Sequence, residues 1–303
     1  MRIGIMSGAG AGPEGQIEGL VAKAKDLEAR GFHSMWMANI FGLDAITTLA
    51  LVGRETERIE LGTAVVPSFP RHPMAIAQQS MTAQAASNGR FVLGLGLSHK
   101  IVIENMMGLS YDKPARHMRE YLAVLGPLLR GEPAAFDGEQ YRVHGALEFE
   151  GVPEVPIVLA ALGDRMLDLA GRHTAGSILW MTGPETVADH IGPKLRAAAE
   201  KAGRPDPRIV CGLPITLTND PDGAREKIGK MLVMYGQLPS YRAMLDKEGA
   251  GGPADVAIVG DEKALDEGIQ RLVDAGVTDF DASIMPTETG AEERTLDYLQ
   301  SKL

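Results

Sequence analysis

The chain has 303 residues, 45% hydrophobic and 23% charged, and these proportions exclude a disordered or collagen-like chain. A formal net charge of −10 disfavours a nucleic-acid-binding protein, because such a surface needs a basic stripe. The single cysteine, Cys211, excludes an intrachain disulfide and a multi-cysteine zinc site. The sequence shows neither a signal peptide nor an apolar stretch near the roughly 20 residues of a membrane span. We therefore expect a cytoplasmic protein without a membrane partner.

Short apolar runs typical of β-strands alternate with longer stretches of helical periodicity. The predicted strands are Arg2–Met6, Ser34–Ala38, Ile59–Val66, Phe91–Leu97, Pro156–Ala161, Ser177–Met181, Arg208–Leu217 and Val277–Ile284. The predicted helices are Glu14–Arg30, Asp44–Glu55, His72–Ala86, Ala115–Arg130, Asp164–His173, Pro184–Ala202, Asp222–Lys247, Glu262–Ala275 and Ala291–Ser301. This alternation indicates an α/β fold, a single (βα)8 TIM barrel over residues 1–303, with an open doubly wound sheet as the competing architecture.

Two segments interrupt the alternation. Residues 131–155 contain Phe136-Asp-Gly138 and Tyr141-Arg-Val143, which predict a small hairpin inserted before the fifth strand. Residues 238–260 contain Gly249-Ala-Gly-Gly-Pro253, which predicts a flexible connection before the eighth strand. Neither segment has the character of a domain boundary, so both are interpreted as small insertions in one domain.

A glycine-rich motif, Gly10-Ala-Gly12-Pro-Glu-Gly15, follows the first strand and fits a dinucleotide-binding loop. Two details disfavour that interpretation. The second strand ends at Ala38-Asn39, where an acid should bind the ribose, and the glycines begin several residues beyond the first strand. A glycine-rich first loop of a barrel is the favoured alternative. The seven histidines are scattered, so no metal site is predicted.

In a barrel of this kind the chemistry lies at the carboxyl ends of the strands. The predicted strand ends are mostly small or apolar: Ser7-Gly8, Asn39-Ile40, Ala64–Pro67, Ser98-His99, Ala161–Gly163, Met181-Thr182, Leu217-Thr218 and Met285. His99 is the one ionisable residue among them, which disfavours a glycosidase with two carboxyl groups and an aldolase with a barrel lysine. The pattern fits a flat, redox-active ring that supplies the chemistry itself.

The sequence resembles the luciferase-like monooxygenase superfamily, in the actinobacterial branch that uses the deazaflavin coenzyme F420. The resemblance runs nearly end to end and is carried by Gly62-Thr-Ala-Val-Val66 with Arg71-His-Pro73, Gly89-Arg-Phe-Val-Leu-Gly-Leu-Gly-Leu-Ser-His99, Ala160-Ala-Leu-Gly-Asp-Arg-Met166 with Leu169-Ala-Gly171, and Tyr235-Gly-Gln-Leu-Pro-Ser-Tyr-Arg-Ala-Met244. It implies a homodimeric oxidoreductase that moves a hydride between coenzyme F420 and a small organic substrate. An FMN-dependent monooxygenase and a non-catalytic deazaflavin- or flavin-binding protein are the alternatives.

The resemblance also implies roles for residues at the barrel mouth. It places a cis peptide bond between Ala64 and Val65, in a bulge behind the ring, and phosphate-binding backbone amides at residues 161–163. Asp164 departs from the proline that many relatives carry there. His99 matches a position where some relatives carry a catalytic acid. The cofactor-binding residues expected on this basis are Asn39, Ala64, Val65, Ser98, His99, Ala161, Leu162, Gly163 and Met181.

Several of these residues have a simpler structural interpretation. Asn39 could be a turn residue, and His99 could only anchor the cofactor or its own loop. His72, before Pro73, is expected to be structural. Arg71 and Lys100 could be solvated surface charges or could contact the acidic tail or phosphate of the cofactor. Tyr235, Tyr241 and Arg242 could be packing residues or could line a substrate pocket.

Overall fold

The computed structural model, which describes residues 1–8 and 12–303, is a barrel of parallel strands surrounded by helices. The strands are β1 (Arg2–Gly8), β2 (Ser34–Ala38), β3 (Glu60–Thr63), β4 (Val66–Pro67), β5 (Phe91–Gly96), β6 (Ala134–Asp137), β7 (Arg142–Gly145), β8 (Ile157–Ala160), β9 (Gly176–Trp180), β10 (Arg208–Leu217), β11 (Ile258–Gly260) and β12 (Asp279–Ile284). The helices are α1 (Ile17–Arg30), α2 (Ala45–Glu55), α3 (Pro73–Ala86), α4 (Pro114–Leu129), α5 (Asp164–His173), α6 (Pro184–Thr186), α7 (Gly192–Lys201), α8 (Pro221–Met231), α9 (Val233–Gln237), α10 (Pro239–Glu248), α11 (Glu262–Asp274) and α12 (Ala291–Gln300).

The barrel closes through parallel pairing in the order β1, β2, β3, β5, β8, β9, β10 and β12, with β12 returning to β1. This confirms the predicted (βα)8 barrel and excludes the open sheet. Several elements coincide with their predictions, because clear local signals mark their ends. Asp44 caps α2 by accepting a hydrogen bond from the Thr47 amide (2.9 Å), and Gly31 ends α1 in the left-handed conformation.

The two insertions take different forms. Strands β6 and β7 form the antiparallel hairpin expected within residues 131–155. Residues 238–260, expected to be a flexible connection, instead contain α10 and β11, and the single helix expected over residues 222–247 is divided into α8, α9 and the start of α10. β11 pairs with the last three residues of β10. A three-residue strand is too short to show a periodicity, which is why the sequence did not reveal it.

The barrel interior contains an apolar layer and, at its amino-terminal end, a group of charged side chains. Trp36, Val92, Val158, Ile178 and Val210 form the apolar layer. Below it, the Arg208 guanidinium lies 2.8 Å from Glu60 and 2.7 Å from Asp279, and Arg2 pairs with the same two acids. This ion-pair network closes the bottom of the barrel, so the carboxyl-terminal end is the open mouth.

Gly10 of the glycine-rich motif lies outside the described residues, whereas Pro13–Gly15 form a single 3-10 turn before α1.

Within residues 1–8 and 12–303, no helix combines the length and apolar character needed to cross a bilayer.

Candidate active site

The end of β3 carries a bulge that shapes the barrel mouth. The β3–β5 ladder stops at Gly62 opposite Val92, and pairing resumes where β4 meets Leu95 and Gly96. In the gap, the Thr63 hydroxyl both donates to the Gly94 carbonyl and accepts from the Gly94 amide, each at 2.8 Å. The Ala64–Val65 peptide bond between the two strands is cis, as the family resemblance predicted.

Two glycines of β5 make room for this bulge. A Cβ added at Gly94 would lie 1.7 Å from the Thr63 carbonyl oxygen, and one at Gly96 would lie 2.6 Å from a methyl group of Val65. The contact at Gly94 cannot be relieved by rotating a side chain, because the obstacle there is backbone. Gly94 and Gly96 of the Gly89–His99 motif are therefore explained by the close approach of the bulge.

The mouth has an apolar floor. Met6, Ala64, Val65 and Ala160 are partly buried and pack on the apolar layer inside the barrel. None of these side chains carries a charge or a strong hydrogen-bonding group. A planar aromatic ring can therefore lie on this floor without leaving a buried polar group unpaired.

Ser98 and His99 stand beside the floor at the end of β5. Ser98 adopts a left-handed backbone conformation (φ 60°), and its carbonyl accepts a hydrogen bond from the Tyr111 hydroxyl at 3.2 Å. The partly buried His99 ring makes no hydrogen bond with the described residues, and burial lowers the pKa of its imidazole. His99 is therefore neutral near pH 7 and free to accept a proton.

An arc of aromatic rings connects His99 to the opposite side of the mouth. The His99 and Tyr241 ring centroids are 5.4 Å apart, those of Tyr241 and Tyr235 are 5.8 Å apart, and those of Tyr235 and Trp180 are 6.0 Å apart. Burial raises the pKa of both tyrosines, so their hydroxyls stay neutral. Sequence reasoning missed Trp180 as a site residue. The available signal was its spacing of two from Ile178, since residues two apart on a strand point to the same face.

Other predicted residues have local partners. The Asn39 side-chain oxygen accepts a hydrogen bond from the Ala45 amide at 2.9 Å, and its amide nitrogen donates to none of the described residues. His72 caps α3 by accepting from the Met74 amide, which confirms its structural role. Arg71 pairs with Asp44 and Lys100 with Glu104, and Arg242 donates to the Ala250 and Gly251 carbonyls.

The start of α5 presents backbone amides to solvent. Its N-cap, Gly163, is exposed, and no side chain caps the helix. The His190 ring donates a hydrogen bond to the Leu162 carbonyl (2.8 Å), which holds the preceding segment. Uncapped amides at a helix N-terminus attract anions, so the geometry fits the predicted phosphate contact at residues 161–163.

Asp164, the departure from the family pattern, is paired rather than isolated. Its carboxylate lies 2.5 Å from the Lys194 ammonium. This hydrogen bond, with smaller contributions from His190 and Lys247, lowers the pKa of the carboxyl group. The acid is ionised, but the neighbouring cations offset its charge and reduce its repulsion of an anion at the helix start.

Two of the predicted contact residues present no side chain to the mouth. Ala161 and Met181 are fully buried and pack in the core between barrel and helices. Met181 also has a left-handed backbone (φ 55°). Neither the side chain nor the main chain of these two residues reaches the surface, so their contact with a cofactor stays a prediction.

The structure also reveals an acid that sequence reasoning missed. Asp281 lies in the middle of β12, paired with Gly4 on one side and Gly212 on the other. It shares the inward face with Asp279, two residues earlier, and its carboxyl oxygens are buried with no hydrogen-bond partner among the described residues. Burial, together with the nearby charge of Asp279, raises its pKa well above the usual value. The signal for it was the polar–apolar alternation of Asp279 to Ile284.

Replacing Asp281 with asparagine should stabilise the protein relative to wild type by an amount that grows as the pH rises above the usual pKa of a carboxyl group. Because the pKa of Asp281 is raised in the folded state, the unfolded state loses its proton first as the pH rises. The contribution of the neutral carboxyl group to the free energy of unfolding is therefore complete below the unfolded-state pKa and is lost as the pH rises toward the folded-state pKa. Wild type should therefore lose up to about 1.4 kcal/mol per pH unit relative to Asp281→Asn over that interval. Thermal unfolding at pH 5 and pH 8 measures this, and a pH-independent difference would contradict a neutral Asp281.

Comparisons with known proteins agree with this geometry. The sequence profile of the luciferase-like monooxygenase family matches residues 1–294. The curated 5,10-methylenetetrahydromethanopterin reductase of Methanolobus tindarius is 28% identical over 212 residues, and the match covers 70% of this chain and 64% of that protein.

Two solved structures share the barrel. The coenzyme F420-dependent tetrahydromethanopterin reductase from Methanopyrus kandleri matches with a TM-score of 0.82 and 21% identity, covering 100% of this chain and 98% of that one. The oxygenating constituent of 3,6-diketocamphane monooxygenase from Pseudomonas putida, in complex with FMN, matches with a TM-score of 0.78 and 15% identity, covering 99% and 96%. At these identities the likeness shows the fold, and the fold is compatible with either cofactor.

Proposed function

The chain belongs to the luciferase-like monooxygenase family, and from that premise we propose that it is a coenzyme F420-dependent oxidoreductase that transfers a hydride between the deazaflavin and an organic substrate. The apolar floor beside a single unpartnered imidazole is the observation that carries this proposal. The homodimer implied by the family resemblance stays a prediction.

The residues at the mouth fit a deazaflavin ring. Ala64 and Val65 offer an apolar face, and the free amide nitrogen of Asn39 can donate to a ring carbonyl. His99 follows the left-handed Ser98 at the carboxyl end of β5, where it would lie at the edge of the bound ring. When bound, the coenzyme supplies a ring carbon that accepts or donates a hydride, and the protein contributes binding, orientation and proton transfer.

The anionic part of the coenzyme has a separate place. The exposed amides at Gly163 and the first turn of α5 would hold its phosphate, with Lys194 and Lys247 supplying positive charge nearby. The partly buried Leu162 would contribute main-chain contacts on the approach from β8. The ring and the phosphate would then be held by the ends of different strands, which fixes the orientation of the ring.

His99 would move the proton. Because burial lowers the pKa of its imidazole, the ring is neutral near pH 7 and can take the hydroxyl proton of an alcohol while the hydride leaves the carbinol carbon. In the reverse direction the protonated ring returns that proton to the carbonyl oxygen. A rate that depends on neutral His99 should fall as the pH drops through the lowered pKa.

Anaerobic turnover tests this function. A panel of alcohols and ketones is incubated with the protein and oxidised or reduced coenzyme F420, and the redox state of the coenzyme is followed by absorbance. We expect protein-dependent conversion without oxygen. Oxygen uptake that requires reduced FMN and occurs without coenzyme F420 would instead establish a flavin monooxygenase, and tight coenzyme binding with no turnover across the panel would favour a cofactor carrier.

A further inference from the structure

Exposed apolar side chains concentrate around the barrel mouth. Of the thirteen large apolar side chains that are exposed in the described part of the chain, nine lie on three segments, which follow β2, follow β5 and join α8 to α9. These nine, here called the apolar rim, are Ile40, Phe41, Ile101, Met106, Met107, Leu109, Met231, Val233 and Met234. Phe41 is 66% exposed and Met234 is 65% exposed. An exposed apolar patch of this extent is typical of a ligand-binding or protein-interaction site.

The side chains that adjoin the apolar rim on its inner side are also apolar or aromatic. Met234 directly precedes Tyr235 of the aromatic arc, and Ile101 lies two residues after His99, where the arc begins. The arc ends at Trp180, at the carboxyl end of β9, next along the barrel from β8, whose last residue, Ala160, belongs to the apolar floor. A molecule entering from solvent therefore meets apolar or aromatic side chains at the rim, in the arc and on the floor.

The charges on the same segments are already neutralised. Lys100 lies 3.8 Å from Glu104, Lys230 lies 2.5 Å from Glu226, and the Arg242 guanidinium lies 2.8 Å from Asp246. Arg71, on the neighbouring loop after β4, pairs with Asp44 through Nη2, while its buried Nη1 has no partner among the described residues. An anionic substrate at the rim would compete with these acids for the same cations, whereas a neutral substrate leaves the pairs intact.

We propose that the mouth admits a neutral, largely apolar organic substrate that extends from the floor to the apolar rim. This substrate class rests on the proposed function, because it assigns the floor to the coenzyme ring and the aromatic arc to the reacting end of the substrate. A small molecule is the occupant that the whole path fits, since a protein partner could cover the rim but could not reach the floor. The anion site at the start of α5 lies after β8, whereas the three rim segments lie after other strands. The coenzyme phosphate and the substrate would therefore occupy different parts of the barrel mouth.

The neutral dye Nile red, titrated by fluorescence into protein saturated with coenzyme F420, tests this proposal. We expect saturable binding that weakens about tenfold in Met234→Glu and in Ile101→Glu, the loss expected when one apolar contact becomes a charged one. Val273→Glu is the matched control, because Val273 is 40% exposed on α11, outside the rim. It should bind the dye like wild type.

Competition separates a neutral apolar site from a general detergent-like surface. 1-Decanol should displace Nile red from wild type at concentrations at which decanoate, of equal chain length, does not. Equal displacement by both compounds would overturn the proposed preference for a neutral substrate.

The remaining outcomes are assigned by measuring coenzyme binding and mass in the same samples. If coenzyme F420 fails to bind wild type, the proposed function falls, whatever the dye does. If the coenzyme binds but the dye does not saturate, or binds all variants alike, the substrate class is wrong. If Met234→Glu turns a dimer into a monomer in sedimentation and wild-type dimer excludes the dye, the rim is a subunit interface and the proposal is overturned.

Discussion

Replacing His99 with alanine is expected to lower turnover with coenzyme F420 by about 10²–10⁴-fold, the usual loss when a general acid or base is removed. The His99 imidazole lies at the carboxyl end of β5 and has no hydrogen-bond partner among the described residues, and burial lowers its pKa so that it is neutral near pH 7. Affinity for the coenzyme should change little, because the floor contacts are apolar and the phosphate contacts lie at α5. Steady-state kinetics and a coenzyme titration on the same preparation measure both quantities.

His72→Ala is the matched control for this variant. His72 caps α3, so its removal should cost about 0.5–2 kcal/mol of stability and leave turnover of the folded protein unchanged. If His99→Ala keeps its turnover at saturating coenzyme but binds it about 1 kcal/mol more weakly, the histidine is an anchor and not a proton carrier.

Replacing Gly94 with alanine should be severely destabilising, by about 3 kcal/mol or more, at the upper end of the range for overpacking. The added Cβ would lie 1.7 Å from the Thr63 carbonyl oxygen, so the bulge or β5 must move. The movement displaces Ala64 and Val65 from the floor, and coenzyme binding should be lost along with stability. Urea unfolding followed by circular dichroism measures the first effect, and coenzyme titration of the folded fraction measures the second.

Gly126→Ala provides the comparison for Gly94. Gly126 lies inside α4, where an added Cβ would approach only the flexible end of Arg130, at 3.5 Å. Alanine there should be neutral or stabilise by about 0.5–1 kcal/mol. A Gly94→Ala protein that unfolds at the same urea concentration as wild type would show that the bulge does not depend on this glycine.

Much of the barrel could be predicted from the sequence because its signals are local. The alternation of strands and helices, the caps at Asp44 and His72, and the bounds of α5 each depend on residues close together in the chain. β11 escaped prediction because three residues carry no periodicity.

The candidate site was predictable only in part, since its geometry is tertiary. His99 and the bulge were accessible through strand ends and family motifs. The approach of Tyr241 to His99 depends on how α10 crosses the mouth, which no local pattern specifies. Asp281 was overlooked although the polar–apolar alternation of Asp279 to Ile284 indicated a polar face, because only the strand ends were searched for candidate site residues and Asp281 lies in the middle of β12.

Side-by-side titration of the purified protein with coenzyme F420, FMN and NADPH tests the central claim most directly. The account predicts saturable binding of coenzyme F420 at one equivalent per chain, tighter than that of FMN, and no saturable binding of NADPH. Stoichiometric FMN in the purified protein, together with no saturable binding of coenzyme F420, would contradict the account.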